Sequence, residues 1–175
     1  RQMCIRDRAR SIKDIRELAN LVRAISTKLN GEQDRFPIVT FLEKNLGEID
    51  EDFSFGVLSK NKMGNNHGLT DPRDNTILIR EDVYFNAINE NGRDRFTMAH
   101  ELGHYLMHTR DELVFTRNQI KLKSYEDSEW QANTFASELL MPEYLITKDD
   151  NIFTLMNRFG VSKSAAKVRL NKLGY

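Results

Sequence analysis

Five consecutive residues, His100-Glu101-Leu102-Gly103-His104, have the types and spacing to bind a metal ion and work on water beside it. On a helix, histidines four residues apart project from one face, so two imidazoles can grip one ion. Glu101 lies about 100° around the helix from His100, next to such an ion and not on it. That placement suits a general base acting on metal-activated water. A catalytic zinc takes three protein ligands and keeps one position open, so a third ligand must come from another element. Glu129 is the choice, because it falls on the apolar stripe of a second predicted helix, where a carboxylate is costly unless paired or metal-bound. The plainer alternative makes the histidines satisfied core residues and Glu129 a helix-start carboxylate favoured by the macrodipole.

The elements that must position these residues are readable from periodicity. Arg93 to His108 reads as a helix, with Phe96, Ala99, His100, Gly103, His104 and Met107 on one face. Asp127 to Leu140 reads as a second, stopped by Pro142, with Ala132, Phe135, Ala136, Leu139 and Leu140 as its stripe. Gly103, between the histidines, lets another backbone come close. Upstream, Ser11 to Leu29 is an amphipathic helix, and Pro37 opens a shorter one ending at Gly47. Phe53 to Leu58 and Thr76 to Arg80 read as strands, with a short extended piece at His67 to Thr70 between turns. Helices, a small sheet, then helices again predict an α+β domain.

Other polar residues near the motif take supporting roles. Asn133, one turn beyond Glu129, is placed to hydrogen-bond a liganding side chain or to tie the two helices together. His108 is expected to orient a ligand or cap its helix, with a role as ligand the lesser alternative. The long metzincin pattern is excluded, because Met107 and Arg110 stand where it needs glycine and histidine. Glu126 and Asp127 fit helix-start charges. Tyr84, Tyr105, Tyr125 and His67 are candidate oxyanion donors, none singled out, and Arg93 and Arg95 read as solvated charges.

Composition narrows the class. The chain of 175 residues has one cysteine, Cys4, so no internal disulfide framework exists and Cys4 receives no role. No apolar run approaches a membrane span or a signal peptide core, and a cytoplasmic location is expected. Equal numbers of basic and acidic residues, 26 each, conceal a division: residues 151–175 carry five basic and no acidic side chains. Asn151 to Arg158 and Lys163 to Leu173 read as two helices around a turn capped by Ser162, a helix-turn-helix-like pattern. Lys163, Lys167, Arg169 and Lys172 on the second helix would suit DNA. Packing through Val161, Ala165, Val168, Leu170 and Leu173, or docking to a repressor, is favoured over direct nucleic-acid binding.

The run RDRFTMAHELGHYLMH, followed by EWQANTFASELLMP, resembles the ImmA/IrrE family of metallo-endopeptidases. The upstream NTILIRED strand and the final FGVSKSAAKVRLNKLGY segment are also similar, so the likeness covers roughly residues 35–175. It implies a compact zincin-like metallopeptidase domain with a small twisted sheet and an active-site helix. It implies His100, His104 and Glu129 as metal ligands, Glu101 as base, and zinc as the default metal with manganese as the alternative. The implied substrate is a helix-turn-helix repressor whose cleavage derepresses a mobile element or stress genes. Substrate is expected to lie along an edge strand at Ile77 to Arg80. The rival is a non-enzymatic DNA- or repressor-binding regulator with a structural metal, for which a fourth ligand at His108 would be the sign. The expected layout is an ill-fitting or spurious stretch at 1–10, a metallopeptidase domain at 11–145 and a helix-turn-helix-like subdomain at 146–175.

Overall fold

The computed structural model describes residues 10–71, 73–108 and 127–175; Cys4, Arg110, Tyr125 and Glu126 lie outside them. Ser11 caps the first helix, α1 (Ile12–Asn30), by accepting from the Asp14 amide while the Asp14 carboxylate accepts from the Ser11 amide. This reciprocal cap satisfies two backbone donors that a helix start leaves open. Ile15, Ala19 and Val22 turn inward. A second helix, α2 (38–49), contains a π-helical segment at Phe41–Asn45, and its Ile38, Phe41, Leu42 and Leu46 are buried.

Three strands follow, β1 (Ser54–Leu58), β2 (Gly68–Asp71) and β3 (Thr76–Arg80), with a short helix α3 (Lys60–Met63) after β1. The order is β1-β3-β2, with β1 parallel and β2 antiparallel to β3. The expectation that Ile77 to Arg80 offers a free edge is therefore corrected: β3 is paired on both sides. It is the most apolar of the three, and Ile77 and Ile79 are fully buried, which favours the centre of a sheet. The outer edge near the helix that carries His100-Glu101-Leu102-Gly103-His104, the HExxH helix, belongs to β2. A helix that the sequence reading omitted, α4 (Glu81–Ile88), follows β3 directly and buries Val83 and Ala87.

The helix α5 (Gly92–Met107) is capped by Asn91, whose side chain accepts from the Arg93 and Asp94 amides. Its closest partner is α6 (Ser128–Leu140), capped by Asp127 through the Glu129 amide. Gly103 permits that approach: a Cβ there would stand 3.1 Å from Phe135 Cδ1 and 3.2 Å from Ala132 Cα. The predicted apolar stripe of α6 is buried throughout.

The tail forms α7 (Ile152–Phe159), a left-handed Gly160, and α8 (Lys163–Leu173). Leu155, Phe159, Val161, Ala166 and Leu170 join the same hydrophobic cluster as α1, β3, α5 and α6. Two sequence expectations for α8 are corrected. Val168 is 51% exposed and Arg169 only 3%, because the inward face passes through Ala166 and Leu170, and Val168 lies roughly opposite Ala166 on a 3.6-residue helix. Arg169 donates to both oxygens of Glu138 at 2.8 and 2.7 Å and to the Met141 carbonyl, so it is withdrawn from any DNA-facing row. No described helix is long and apolar enough to cross a membrane.

Candidate metal centre and active site

Helical spacing on α5 brings His100 and His104 together, and the first turn of α6 delivers Glu129 to them. The two Nε2 atoms are 3.0 Å apart. Glu129 Oε2 is 3.3 Å from His100 Nε2, and Oε1 is 3.2 Å from His104 Nε2. These three are the group of metal-capable side chains found among the described residues. His104 is buried and the Glu129 side chain is 56% exposed, so the cluster opens to solvent on the α6 side.

The other ring nitrogens are held from behind. His100 Nδ1 lies 3.0 Å from Asn133 Oδ1, and His104 Nδ1 lies 2.9 Å from His108 Nδ1. Burial, reinforced by the neighbouring His104, pushes His108 down to about 3, so it is neutral and its Nδ1 can accept. With Asn133 and His108 accepting Nδ1 protons, both Nε2 atoms present lone pairs to each other and to a carboxylate. Such a set repels itself unless a cation sits among it. Where imidazole protons take the place of that cation, their hydrogen bonds hold the Glu129 carboxyl well below the usual range. For His100, burial opposes the charge and Glu129 outweighs it, raising the value. Tetrahedral zinc with nitrogen or oxygen ligands at about 2.0–2.1 Å needs donor separations of about 3.3 Å. The observed separations fit this group, with imidazole and carboxylate the chemistry zinc prefers.

His108 meets His104 at Nδ1, while the His104 Nε2 faces Glu129. Glu101 is 8% exposed, and its Oε2 accepts from Thr70 Oγ1 at 2.7 Å. Thr70 lies on β2, as does Gly68, where a Cβ would stand 2.6 Å from Glu101 Cγ. The sequence reading missed both residues. A glycine inside the extended piece at 67–70 was the available signal, since strand glycines mark close approach.

The remaining candidates separate clearly. Tyr105 is buried and donates to Asp50 Oδ2 at 2.6 Å, and the Tyr84 hydroxyl is bonded to Glu43. His67 stands directly before Gly68, and its carbonyl accepts from the Arg80 amide at 3.0 Å. Arg93 is exposed as expected. Arg95 is not a solvated charge: it is 3% exposed and donates to the Gly160 and Phe36 carbonyls at 3.0 and 2.8 Å. Those carbonyls need a donor where the α7–α8 turn meets α5.

A helix bearing both histidines, a second helix returning a carboxylate and a small sheet laid against the first place the chain in the class of zincin-like metallopeptidase domains. The family model for the IrrE N-terminal-like domain, a peptidase family, matches residues 51–171, and the chain belongs to that family. It is 36% identical over 90 residues to "Metallopeptidase ImmA" of Bacillus subtilis (strain 168), covering 51% of this chain and 50% of that protein. It is 41% identical over 61 residues to "Uncharacterized immunity region protein 2" of Bacillus phage phi105, covering 34% of this chain and 38% of that protein. The aligned regions thus span half or less of the curated relatives' length.

Proposed function

We propose that this chain is a zinc-dependent endopeptidase, with manganese the alternative metal, that cleaves a helix-turn-helix transcriptional repressor and thereby derepresses mobile-element or stress genes. The observation that carries the enzymatic part is the Glu101 carboxylate, fixed by Thr70 beside the convergent Nε2 and carboxylate atoms of His100, His104 and Glu129. The regulatory part is supported by relatives named as ImmA and as a phage immunity-region protein. A cytoplasmic location accords with such a substrate.

His100, His104 and Glu129 would hold the metal, oriented by Asn133 and His108. A bound zinc supplies Lewis acidity, polarising the scissile carbonyl and acidifying water. Glu101 accepts the water proton on its free carboxylate edge and passes it to the departing amine. The open edge of β2 offers main-chain donors and acceptors to an extended substrate, which would run past Glu101. The protein, loaded with zinc, is incubated with the helix-turn-helix regulator encoded beside it and read by intact mass. One discrete cut is expected, absent with Glu101→Gln at unchanged zinc content, while His104→Ala loses both zinc and cleavage. Cleavage that survives Glu101→Gln would overturn the assignment of the base.

A further inference from the structure

A cleft of about 390 Å³ opens between α5, α6 and α8, with Asn133 in its lining. Its size lies within the range of sites that seat small ligands, about 300–1,000 Å³. One of its lining residues adjoins the centre, and a second sits on the helix that carries the histidines. Asn133 contacts His100 Nδ1 at 3.0 Å, and Thr97 sits on α5 one turn before His100. The apolar surface comes from Phe96, Ala165 and Val168, and it accounts for the exposure of Val168, 51% of which faces solvent on an otherwise polar side of α8. Arg93 and Lys172 stand at the rim, both exposed. Among the described residues neither has an ion-pair partner, and none of those lining the cleft is acidic.

We infer that this cleft is the specificity pocket of the site. It takes an apolar side chain of the polypeptide next to the scissile bond, with an acidic neighbour held by Arg93 and Lys172. The inference rests on the peptidase reading above and adds to it the residues that choose the sequence cut. A peptide passing the metal centre would meet β2 beside Glu101 and this cleft beside Asn133. An apolar side chain entering it covers Phe96 and Val168, which is favourable in proportion to the area removed from water. Two cations with neither ion-pair partner nor compensating acid among the described residues favour a carboxylate beside that side chain and disfavour a lysine there.

The test separates binding from cutting. Zinc-loaded Glu101→Gln protein is titrated with a fluorescent hexapeptide of alanines carrying one leucine followed by one aspartate. Control peptides replace the leucine by alanine or the aspartate by lysine. Roughly tenfold weaker binding is expected for each control. Ala165→Phe, which fills the cleft, is expected to erase the leucine preference. Lys172→Glu, at an exposed position, is expected to remove the aspartate preference with the leucine preference retained. Binding without discrimination, or discrimination unchanged in both variants, overturns the pocket. In parallel, zinc-loaded wild type is incubated with the leucine peptide. Cutting without the predicted discrimination fails the pocket alone, whereas discrimination without any cut fails the peptidase reading and its claim on the scissile bond.

Discussion

Thr70 holds one proton and two acceptors within reach, the Glu101 carboxylate at 2.7 Å and the Glu101 carbonyl at 3.0 Å. The shorter contact is to the charged oxygen, and charge-assisted bonds are the stronger kind, so the hydroxyl fixes which Glu101 oxygen is left for water. Thr70→Val keeps the shape and removes the proton. It is expected to lower kcat about tenfold or more, with KM and zinc content unchanged, and Thr70→Ser is expected to restore activity. A change confined to KM, or loss of zinc, would refute the positioning role. Asn133 and His108 act on the ligands themselves, so Asn133→Ala is expected to weaken zinc affinity by roughly 10–100-fold, measured by competition with a chromophoric chelator. The convergence of His100, His104 and Glu129 was legible, the pair because its geometry is local to one helix and Glu129 because a carboxylate on an apolar stripe is anomalous. Thr70 was not, since its partner lies 31 residues away and nothing in a short extended segment says which helix it will touch.

Between elements, Glu138 is a buried polar tie, 2% exposed and gripped by Arg16 of α1 and Arg169 of α8. Burial raises the Glu138 carboxyl, but bonds from Arg169 and Arg16 outweigh it and the net shift is downward. A carboxyl lowered by folding adds stability that is full above its ordinary unfolded value. That stability is lost as pH falls through the depressed folded value. The protein is therefore expected to lose stability on acidification below about pH 4.5, and Glu138→Gln to flatten that loss in denaturant titrations. At neutral pH the same substitution leaves buried Arg169 without its counter-charge, at a cost of about 3 kcal/mol. Gly103→Leu is expected to destabilise by about 1–3 kcal/mol through overpacking against Phe135 and Ala132, seen as a lower melting temperature. The long helices and the Ser162 cap of the tail were readable from periodicity and cap residues, whereas Asn151 was read as part of its helix and is its cap. The place of β3 in the sheet was not, because periodicity reports which face is buried and not which neighbours pair. The helix α4 escaped for another reason: it buries only Val83 and Ala87, too short a stripe to announce itself, although Glu81 and Asp82 at its start suit a helix N-terminus.

Across the whole molecule, the basic tail proves to be partly internal. Arg169 is buried on Glu138, and Arg158 is engaged with Asp34, Asp150 and the Leu145 carbonyl, which leaves Lys163, Lys167 and Lys172 as the exposed cations of residues 151–175. The tail's apolar residues share one core with the HExxH helix, so the fold does not hang on an ion as a zinc finger's does. That core, with Phe36, Phe41, Phe135 and Phe159 all nearly fully buried, is expected to stand without metal. The metal would then add only its binding free energy, by clasping α5 to the start of α6. At a free zinc concentration of about 100 times Kd this amounts to roughly 2.7 kcal/mol. For a chain of this size each kcal/mol moves the melting temperature by about 2–4 °C. Chelation is therefore expected to lower the melting temperature by about 5–10 °C, with the helical circular dichroism at 25 °C unchanged and the shift absent in His104→Ala. Cooperative unfolding at 25 °C on adding chelator would show instead that the metal centre, and not the shared core, holds the helices together.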